Sequence, residues 1–267
     1  MKIINGKKIA NEILSDLKKK IKKQGITPCL SVILVGNDPS SHLYVKMKEK
    51  VAQSIGVEIR KHVLSAQVSE EEILKLINSL NKDSKINGIL VQMPLPENIS
   101  LDRIIQAILP EKDVDGFLLE SKFELPFILA IYEAIKSTKE DLKNKKILAL
   151  VNSDIFGEKM SSFFIKQGLN LEYRLEVVDE AIGLADVLIT ALGQLEIIKE
   201  NMIKQDAILI DGGISKKNGK IIGDIDVESV KKKAKWISPV PGGIGPLTVA
   251  FLMKNIIMTS RALKKDG

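Results

Sequence analysis

The chain has 267 residues, enough for one large domain or two of ordinary size. Hydrophobic residues make up 45% of it and aromatic residues only 4%, so a core of aliphatic side chains is expected. The net charge of +6 is shared equally by residues 1–120 and 121–267, which argues against a nucleic-acid-binding surface. The single cysteine, Cys29, excludes an internal disulfide, and two histidines are too few for a histidine-rich metal site, so no bound metal is expected. The sequence has no apolar run of about 18 residues, the length that a membrane span needs. A cytoplasmic protein without membrane partners is therefore expected.

The first half alternates between helical periodicity and short apolar runs. The predicted elements are a helix over 6–24, a strand over 30–35, a helix over 40–55, a strand over 57–63, a helix beginning near Ser69 and a strand over 89–91. This β-α-β-α-β order predicts a parallel sheet with right-handed crossovers.

The second half repeats the alternation. Strands are predicted over 146–151, 185–191 and 207–210, a helix over 157–167, and a final helix over 246–263. We therefore expect an α/β protein with two lobes and a crevice between them. The first lobe would span 1–120, with the C-terminal helix 246–267 packing back on it, and the second 121–245.

Three polar side chains share one face of the helix predicted over 40–55. Ser41, Tyr44 and Lys48 are spaced by three and four residues. A lysine beside a tyrosine at the rim of a pocket is partly desolvated, which lowers its pKa and lets it exchange protons near neutral pH. An ordinary exposed helix face explains the pattern better when the pattern stands alone.

Other candidates follow strands or form stiff turns. Gln92 ends the strand 89–91 and precedes two prolines, and Asp113–Gly116 forms a tight acidic turn. Residues 239–248 hold three prolines and three glycines, which cannot continue a helix or a central strand. This run is either a rigid wall for a flat ligand or a stiff connection between domains.

These four motifs occur together in one order. The Ser41-x-x-Tyr44-x-x-x-Lys48 motif, Val91–Pro96, Asp113–Gly116 and Pro239–Thr248 make the chain resemble the bifunctional methylenetetrahydrofolate dehydrogenase/methenyltetrahydrofolate cyclohydrolase family. The resemblance covers nearly the whole chain. It implies a folate-binding catalytic lobe and a Rossmann-like nucleotide-binding lobe, in an enzyme of one-carbon metabolism and purine biosynthesis that binds its folate substrate as a homodimer.

The resemblance implies two coupled reactions. A nicotinamide cofactor takes hydride from 5,10-methylenetetrahydrofolate, and water then opens the methenyl product to 10-formyltetrahydrofolate. It makes Lys48, Tyr44, Gln92 and Asp115 the catalytic group, with Lys48 handling protons and Asp115 holding the pterin. Substrate contacts would come from Ser41, Tyr44, Asp115, Pro241, Gly242 and Gly243.

The expected cofactor loop departs from the family pattern. The cofactor residues implied are Val151, Asn152, Ser153, Gly157 and Ile214. Val151 replaces a family glycine and would resist the positive φ of a tight phosphate turn, and Lys159 replaces a proline. NADP is the expected cofactor, with NAD possible because Glu158 would repel a 2′-phosphate where the family often has arginine.

Two other family segments are replaced. Residues 123–128 stand in place of a Pro-Cys-Thr-Pro segment, and Glu172–Leu175 in place of a Cys-His-Ser stretch, where Arg174 is a candidate phosphate ligand. A cyclohydrolase without dehydrogenase activity, a noncatalytic folate-binding relative and an unrelated two-lobe oxidoreductase are the alternatives.

Overall fold

The computed structural model describes residues 1–265, with the side chains of residues 1–260. The chain divides into two compact units. The three-stranded unit comprises Asn11–Pro126 and the chain from Val249 onwards, and the six-stranded unit comprises Met1–Ala10 and Phe127–Thr248.

From α1 to β4 the elements alternate as the sequence predicts, whereas β1 and α4 were not predicted. In chain order they are β1 (Lys2–Ile3), α1 (Gly6–Gln24), β2 (Cys29–Val35), α2 (Pro39–Ile55), β3 (Glu58–Leu64), α3 (Glu70–Lys82), β4 (Gly88–Gln92) and α4 (Leu101–Gln106).

The three-stranded unit has a parallel sheet in the order β3-β2-β4. Successive side chains of a strand point to opposite faces, and β2 is buried along its whole length. On one face Leu30, Val32 and Leu34 pack in a cluster that includes residues of α1, α2 and the C-terminal helix. On the other face Ile33 and Val35 pack in a cluster that includes residues of α3 and α4. The sheet is thus covered by helices on both faces, as a parallel sheet requires.

The remaining elements complete the described chain. They are α5 (Pro126–Ser137), β5 (Ile147–Val151), α6 (Asp154–Lys166), β6 (Leu171–Arg174), α7 (Asp179–Leu184), β7 (Val187–Ala191), a 3-10 turn (Glu200–Met202), β8 (Ile208–Asp211), β9 (Ser215–Lys217), β10 (Lys220–Ile222), α8 (Val227–Val230), β11 (Trp236–Ser238) and α9 (Ile244–Lys265).

The six-stranded unit has a parallel sheet in the order β1-β11-β8-β7-β5-β6. The chain leaves β5 for β6 on one side and then crosses to β7 on the other, so the strand order reverses between β5 and β7. Ligands of open α/β sheets bind at such a switch point, outside the carboxyl ends of the strands. A separate hairpin, β9 with β10, turns at Asn218 and Gly219, which both have positive φ.

The division of the chain differs from the sequence expectation at its N-terminus. Residues 1–10 belong to the six-stranded unit because β1 pairs with β11. Trp236 of β11 donates its indole N–H to Glu140 at 2.9 Å, and the Lys2 ammonium lies 5.0 Å from its ring centre. The helix predicted over 246–267 begins at Ile244, and residues 266 and 267 lie outside the described residues.

Among the described residues, no helix combines the length and the apolar character needed to cross a membrane.

Candidate active site

The N-terminus of α2 holds the first predicted site residue in place. Asp38 caps the helix and accepts hydrogen bonds from the backbone N–H of Ser41 at 2.7 Å and from its hydroxyl at 2.8 Å. The Ser41 hydroxyl also lies 3.2 Å from the carbonyl oxygen of Met93, just beyond β4. Ser41 is therefore buried between the start of α2 and the carboxyl end of β4.

The predicted catalytic lysine lies two turns after Ser41 along the same helix. Lys48 is only 7% exposed, and its Nζ donates to Gln92 Oε1 at 3.0 Å. The same Nζ lies 4.6 Å from the centre of the Tyr44 ring. Gln92 is itself oriented by donating from Nε2 to the Met93 carbonyl at 2.9 Å. The structure thus brings Ser41, Tyr44, Lys48 and Gln92 together.

Burial shifts the proton affinity of this cluster. Desolvation lowers the pKa of Lys48, and the charge of Asp115 opposes that shift. Burial, followed by the charge of Asp115, raises the pKa of Tyr44 to about 12. Burial also raises the pKa of Asp115 to about 6, a shift that Lys48 opposes and Asp113 reinforces. Lys48 and Asp115 are therefore electrostatic neighbours, each shifted towards its neutral form by burial.

Asp113 is the residue that shapes the acidic turn. Its carboxylate accepts from the N–H of Gly116 at 3.0 Å and of Leu118 at 2.8 Å, and it is 1% exposed. Gly116 has φ +71°, and a Cβ there would lie 2.6 Å from the carbonyl oxygen of Phe123. The turn is thus built by Asp113 and Gly116, which leaves the Asp115 carboxylate available for a ligand.

Asn255 of α9 is a site-supporting residue that the sequence did not indicate. Its Nδ2 donates to the carbonyl of Val114 at 2.9 Å and to that of Glu124 at 3.3 Å. Both acceptors are backbone atoms distant in sequence, so no local pattern could have revealed the contact. Beside this turn lies a small, largely apolar cavity, lined by Ile89, Val91, Met93, Leu101, Ile105, Ile108, Asp113, Asp115 and Phe117.

The proline- and glycine-rich run belongs to the six-stranded unit up to Thr248. Gly242 has φ +108°, and its carbonyl accepts from the N–H of Lys7 at 3.0 Å. A Cβ on Gly6 would lie 1.8 Å from the carbonyl oxygen of Gly243. Glycine is therefore required at position 6 for the close approach and at position 242 for the positive φ. Pro241, Gly242 and Gly243 lie in a fixed loop that leads into α9.

The predicted cofactor loop joins β5 to α6. Val151 is the last residue of β5 and does not have the positive φ of a tight phosphate turn, contrary to the expectation from the sequence. Its β-branched side chain is fully buried in the strand, where such side chains fit well. Asn152 is exposed, and Ser153 caps α6 by accepting from the N–H of Phe156 at 3.4 Å.

Gly157 serves the packing of α6 on the sheet. A Cβ at this position would lie 2.3 Å from the Tyr173 ring of β6. This close helix–strand approach is the role of the third glycine in dinucleotide-binding loops. Ile214, the last predicted cofactor residue, follows β8 and is 55% exposed. The adjacent Ser215 donates from its hydroxyl to the carbonyl of Gly193, after β7, at 2.9 Å.

These positions fit a dinucleotide. The loops after β5, β7 and β8 all lie at the carboxyl ends of strands next to the switch point, and α6 presents a helix N-terminus there. Within the described residues, no group of three or more His, Cys, Asp or Glu side chains is arranged to hold a metal ion.

Known proteins of one family match this chain over its whole length. Residues 4–115 match the catalytic domain of tetrahydrofolate dehydrogenase/cyclohydrolase, and residues 128–264 match its NAD(P)-binding domain. The bifunctional protein FolD of Halothermothrix orenii is 40% identical over 100% of this chain and 99% of its own length.

Solved structures agree with this assignment. The bifunctional FolD of Campylobacter jejuni is 35% identical with a TM-score of 0.91, covering 98% of this chain and 99% of its own. The Trypanosoma brucei dehydrogenase-cyclohydrolase, solved with NADP and an inhibitor, is 26% identical with a TM-score of 0.90, covering 97% of each chain. The chain therefore belongs to the tetrahydrofolate dehydrogenase/cyclohydrolase family and is a bifunctional dehydrogenase and cyclohydrolase of one-carbon metabolism.

Proposed function

We propose that Lys48 transfers the protons of the cyclohydrolase reaction. The observation that carries this proposal is its position: Nζ is buried, 3.0 Å from Gln92 Oε1 and 4.6 Å from the centre of the Tyr44 ring. The lowered pKa of Lys48 increases the fraction of neutral amine near neutral pH. A neutral amine can accept a proton, which an ammonium cannot do.

The protons of methenyl hydrolysis balance through this one amine. Water adds to the methenyl carbon and loses a proton to Lys48 as the carbon–oxygen bond forms. The proton then passes to the ring nitrogen as the carbon–nitrogen bond breaks. The hydroxyl proton leaves to the freed Lys48 amine, and from there to solvent, as the carbonyl of the 10-formyl product forms, so one proton is released overall. Because the methenyl group is a cation, a neutral Lys48 also avoids placing a second positive charge beside it.

Gln92 and Tyr44 act on Lys48 and on the substrate. Gln92 Oε1 occupies one N–H of the amine, which leaves the nitrogen lone pair directed elsewhere. The hydrogen bond from Gln92 Nε2 to the Met93 carbonyl fixes that orientation. Tyr44 offers a flat face against which a folate ring can stack.

Asp115 binds the pterin ring in this proposal. An ionised carboxylate accepts two parallel N–H bonds from an amino-pyrimidinone edge, and such charge-assisted pairs are both strong and directional. Asp113 already satisfies the amides of the turn, so Asp115 is left for the ligand. The apolar cavity beside Asp115 suits the faces of a flat ring. Ser41, Pro241, Gly242 and Gly243 remain proposed substrate contacts.

A nicotinamide dinucleotide accepts hydride from the substrate in the dehydrogenase reaction. The chain would hold it with Val151, Asn152, Ser153, Gly157 and Ile214, through loop backbone and the N-terminus of α6. NADP is the proposed cofactor, with NAD also accepted. Arg174 ends β6, where an arginine can accommodate a 2′-phosphate.

Acidic side chains near that position reduce the preference for NADP. Asp154 accepts a hydrogen bond from the Tyr173 hydroxyl at 3.2 Å. Burial, the hydrogen bond to Asp154 and the charges of Asp154 and Glu158 raise the pKa of Tyr173, in that order. Both carboxylates therefore lie close to the end of β6 and would repel a phosphate there.

The proposed assembly is a homodimer formed through the six-stranded unit. Its edge strand β6 pairs only with β5 among the described residues. Exposed apolar side chains follow it along the chain at Leu175, Val178 and Leu184. Light scattering on a size-exclusion column tests this: a mass near 29.5 kDa would contradict the dimer. A cytoplasmic location also stays a prediction.

The first experiment follows reduced nicotinamide formation from 5,10-methylenetetrahydrofolate with NADP and NAD side by side. We expect turnover with both and a higher kcat/KM for NADP. Loss of the methenyl absorbance, followed without a dinucleotide, measures the cyclohydrolase separately. Turnover with NAD alone would contradict the cofactor proposal, and hydrolysis without any dehydrogenase turnover would contradict the role of the β5–α6 loop.

A further inference from the structure

Two buried carboxylates link the loops at the carboxyl edge of the six-stranded sheet. Asp211 ends β8 and is 1% exposed, and Asp224 follows β10 and is 0% exposed. Asp224 accepts from the backbone N–H of Leu192 at 2.8 Å with Oδ2, and from that of Gln194 at 2.8 Å with Oδ1. Both oxygens of Asp224 thus bind the loop that follows β7.

Asp211 makes the complementary contacts. Its Oδ1 accepts from the N–H of Gly213 at 3.1 Å and from that of Asp224 at 3.1 Å. Its Oδ2 accepts from the N–H of Ile225 at 3.0 Å, and the Thr190 hydroxyl lies 3.4 Å from Oδ1. Asp211 therefore binds the loop after its own strand and the segment that carries Asp224.

The two carboxylates occupy space that two glycines leave open. A Cβ on Gly213 would lie 2.0 Å from Asp224 Oδ1, and a Cβ on Gly223 would lie 1.9 Å from Asp211 Oδ2. Each carboxylate thus packs against the glycine that lies close to the other carboxylate in the sequence. We call these four residues the crossed carboxylate pair; any larger residue at either glycine would displace a carboxylate.

The linked loops are those in which the dinucleotide site is proposed. Gly193 lies between the two amides that Asp224 binds, and Ile214 follows directly after the Gly213 amide that Asp211 binds. We propose that Asp211 and Asp224 are positioning residues for dinucleotide binding, which fix the loops after β7 and β8 in their binding geometry. This inference rests on the proposed cofactor site and assigns it residues that need not touch the cofactor.

A carboxylate is chemically required for this role at position 224. Each of its two oxygens accepts from a backbone N–H, so it binds two donors in the same loop. An asparagine of the same shape has one oxygen and one NH2 group. Its NH2 group would face a backbone donor, so one of the two amides would lose its acceptor.

The test is Asp224→Asn in the full-length protein. Amide hydrogen exchange of the free protein should show lost protection at Leu192 or Gln194. Isothermal titration with NADP should show an approximately tenfold weaker dissociation constant, as expected when one buried donor loses its partner. Methenyl hydrolysis without dinucleotide should keep its wild-type rate, because the proposed hydrolytic residues belong to the three-stranded unit.

Asp186→Asn is the matched control. Asp186 accepts from the Lys146 N–H at 2.9 Å and from the Lys204 ammonium at 2.8 Å, just before β7 at the amino edge of the same sheet. It should alter stability but leave NADP affinity unchanged. If Asp224→Asn does not fold, Asp211→Asn provides the same measurement through Gly213 and Ile225.

The outcomes separate this inference from the proposed function. Unchanged loop protection and unchanged NADP affinity in Asp224→Asn would overturn the inference alone, as would an equal loss of affinity in Asp186→Asn. A wild-type protein that binds neither NADP nor NAD would instead overturn the proposed cofactor site.

Discussion

The two units use different parts of the chain for their proposed chemistry. In the three-stranded unit, the proposed reaction depends on the side chains of Lys48, Tyr44, Gln92 and Asp115. In the six-stranded unit, the proposed dinucleotide site consists mainly of backbone amides at strand ends, which buried side chains hold in place. We therefore expect substitutions to be tolerated less well in the side-chain site than in the backbone site, where a residue such as Val151 can vary provided that the loop keeps its path.

Of the substitutions considered, Lys48→Met should reduce activity most. Methenyl hydrolysis should fall by about 10²- to 10⁴-fold, the usual contribution of a proton-transfer residue. The melting temperature should not fall, because a buried amine with a lowered pKa is replaced by an apolar chain of similar length. Lys46→Met, an exposed lysine of the same helix, is the control and should keep the wild-type rate. Wild-type hydrolysis in Lys48→Met would remove Lys48 from the mechanism.

Asp115→Asn should have the next largest effect. The KM for the folate substrate should rise roughly ten- to a hundredfold, because charge-assisted hydrogen bonds contribute about 1.5–3 kcal/mol. The wild-type kcat/KM of the dehydrogenase reaction, in which Lys48 has no proposed proton-transfer role, should decline below about pH 6, since the pKa of Asp115 is raised to about 6 and its protonated form is a weaker acceptor. The variant should lack this acidic limb. A limb that persists unchanged in Asp115→Asn would show that another group titrates.

The raised pKa of Asp115 also determines how the free energy of unfolding changes with pH. Because the folded-state pKa of Asp115 lies above the unfolded value of 3.8, its contribution to the free energy of unfolding falls as pH rises from about 4 to 6. Asp115→Asn should therefore be no less stable than wild type at pH 7. Asp113→Asn is the contrasting variant and should be less stable by about 1–3 kcal/mol, since its carboxylate holds the amides of Gly116 and Leu118.

Gly157→Ala tests the backbone site. The added Cβ would lie 2.3 Å from the Tyr173 ring, so the free energy of unfolding should fall by about 1–3 kcal/mol and NADP should bind more weakly. Combining it with Tyr173→Ala should recover part of the loss. Gly183→Ala is the control: its Cβ would be 3.6 Å from the nearest atom, the carbonyl oxygen of Met202, and helix propensity should stabilise it by about 0.5–1 kcal/mol. Equal melting temperatures for Gly157→Ala and wild type would contradict this packing.

Glu158→Gln should produce the smallest change in activity. The kcat/KM for NADP should rise about two- to fivefold, the range of a surface charge interaction, whereas that for NAD should stay nearly constant because NAD lacks the 2′-phosphate. The gain should shrink at high salt. Glu228→Gln, an exposed acid on α8, should change neither value. A gain that is equal for both dinucleotides would rule out a 2′-phosphate contact.

The sequence predicted the regular alternation better than the elements that break it. The buried strands and amphipathic helices appear within a few residues of their expected bounds, because their apolar periodicity reflects burial directly. Helix α5 was not predicted, because a short, strongly apolar segment that begins at a proline can be a buried strand or a buried helix, and periodicity alone does not decide between them. Strand β6 was not predicted because it is a short edge strand with polar side chains.

The site residues also differ in how well the sequence predicted them. The spacing of Ser41, Tyr44 and Lys48 on one helix placed them together, as the structure has them. The supports from Asn255 and from the crossed carboxylate pair could not be predicted, because their partners are backbone atoms of distant segments. The expected strain at Val151 was wrong for a related reason: the residue lies in the strand, and the turn begins after it.

The single tryptophan of the chain is a natural spectroscopic reporter. Trp236 lies in β11, with its indole held by Glu140 and its ring beneath the Lys2 ammonium. Its emission therefore records the unfolding of the six-stranded unit, while circular dichroism sums the helices of both units. Denaturant curves that coincide by the two signals would show that both units unfold in one cooperative step. A tryptophan transition that precedes the loss of helix would show that the three-stranded unit, which carries the proposed hydrolytic residues, can stay folded after the six-stranded unit has unfolded.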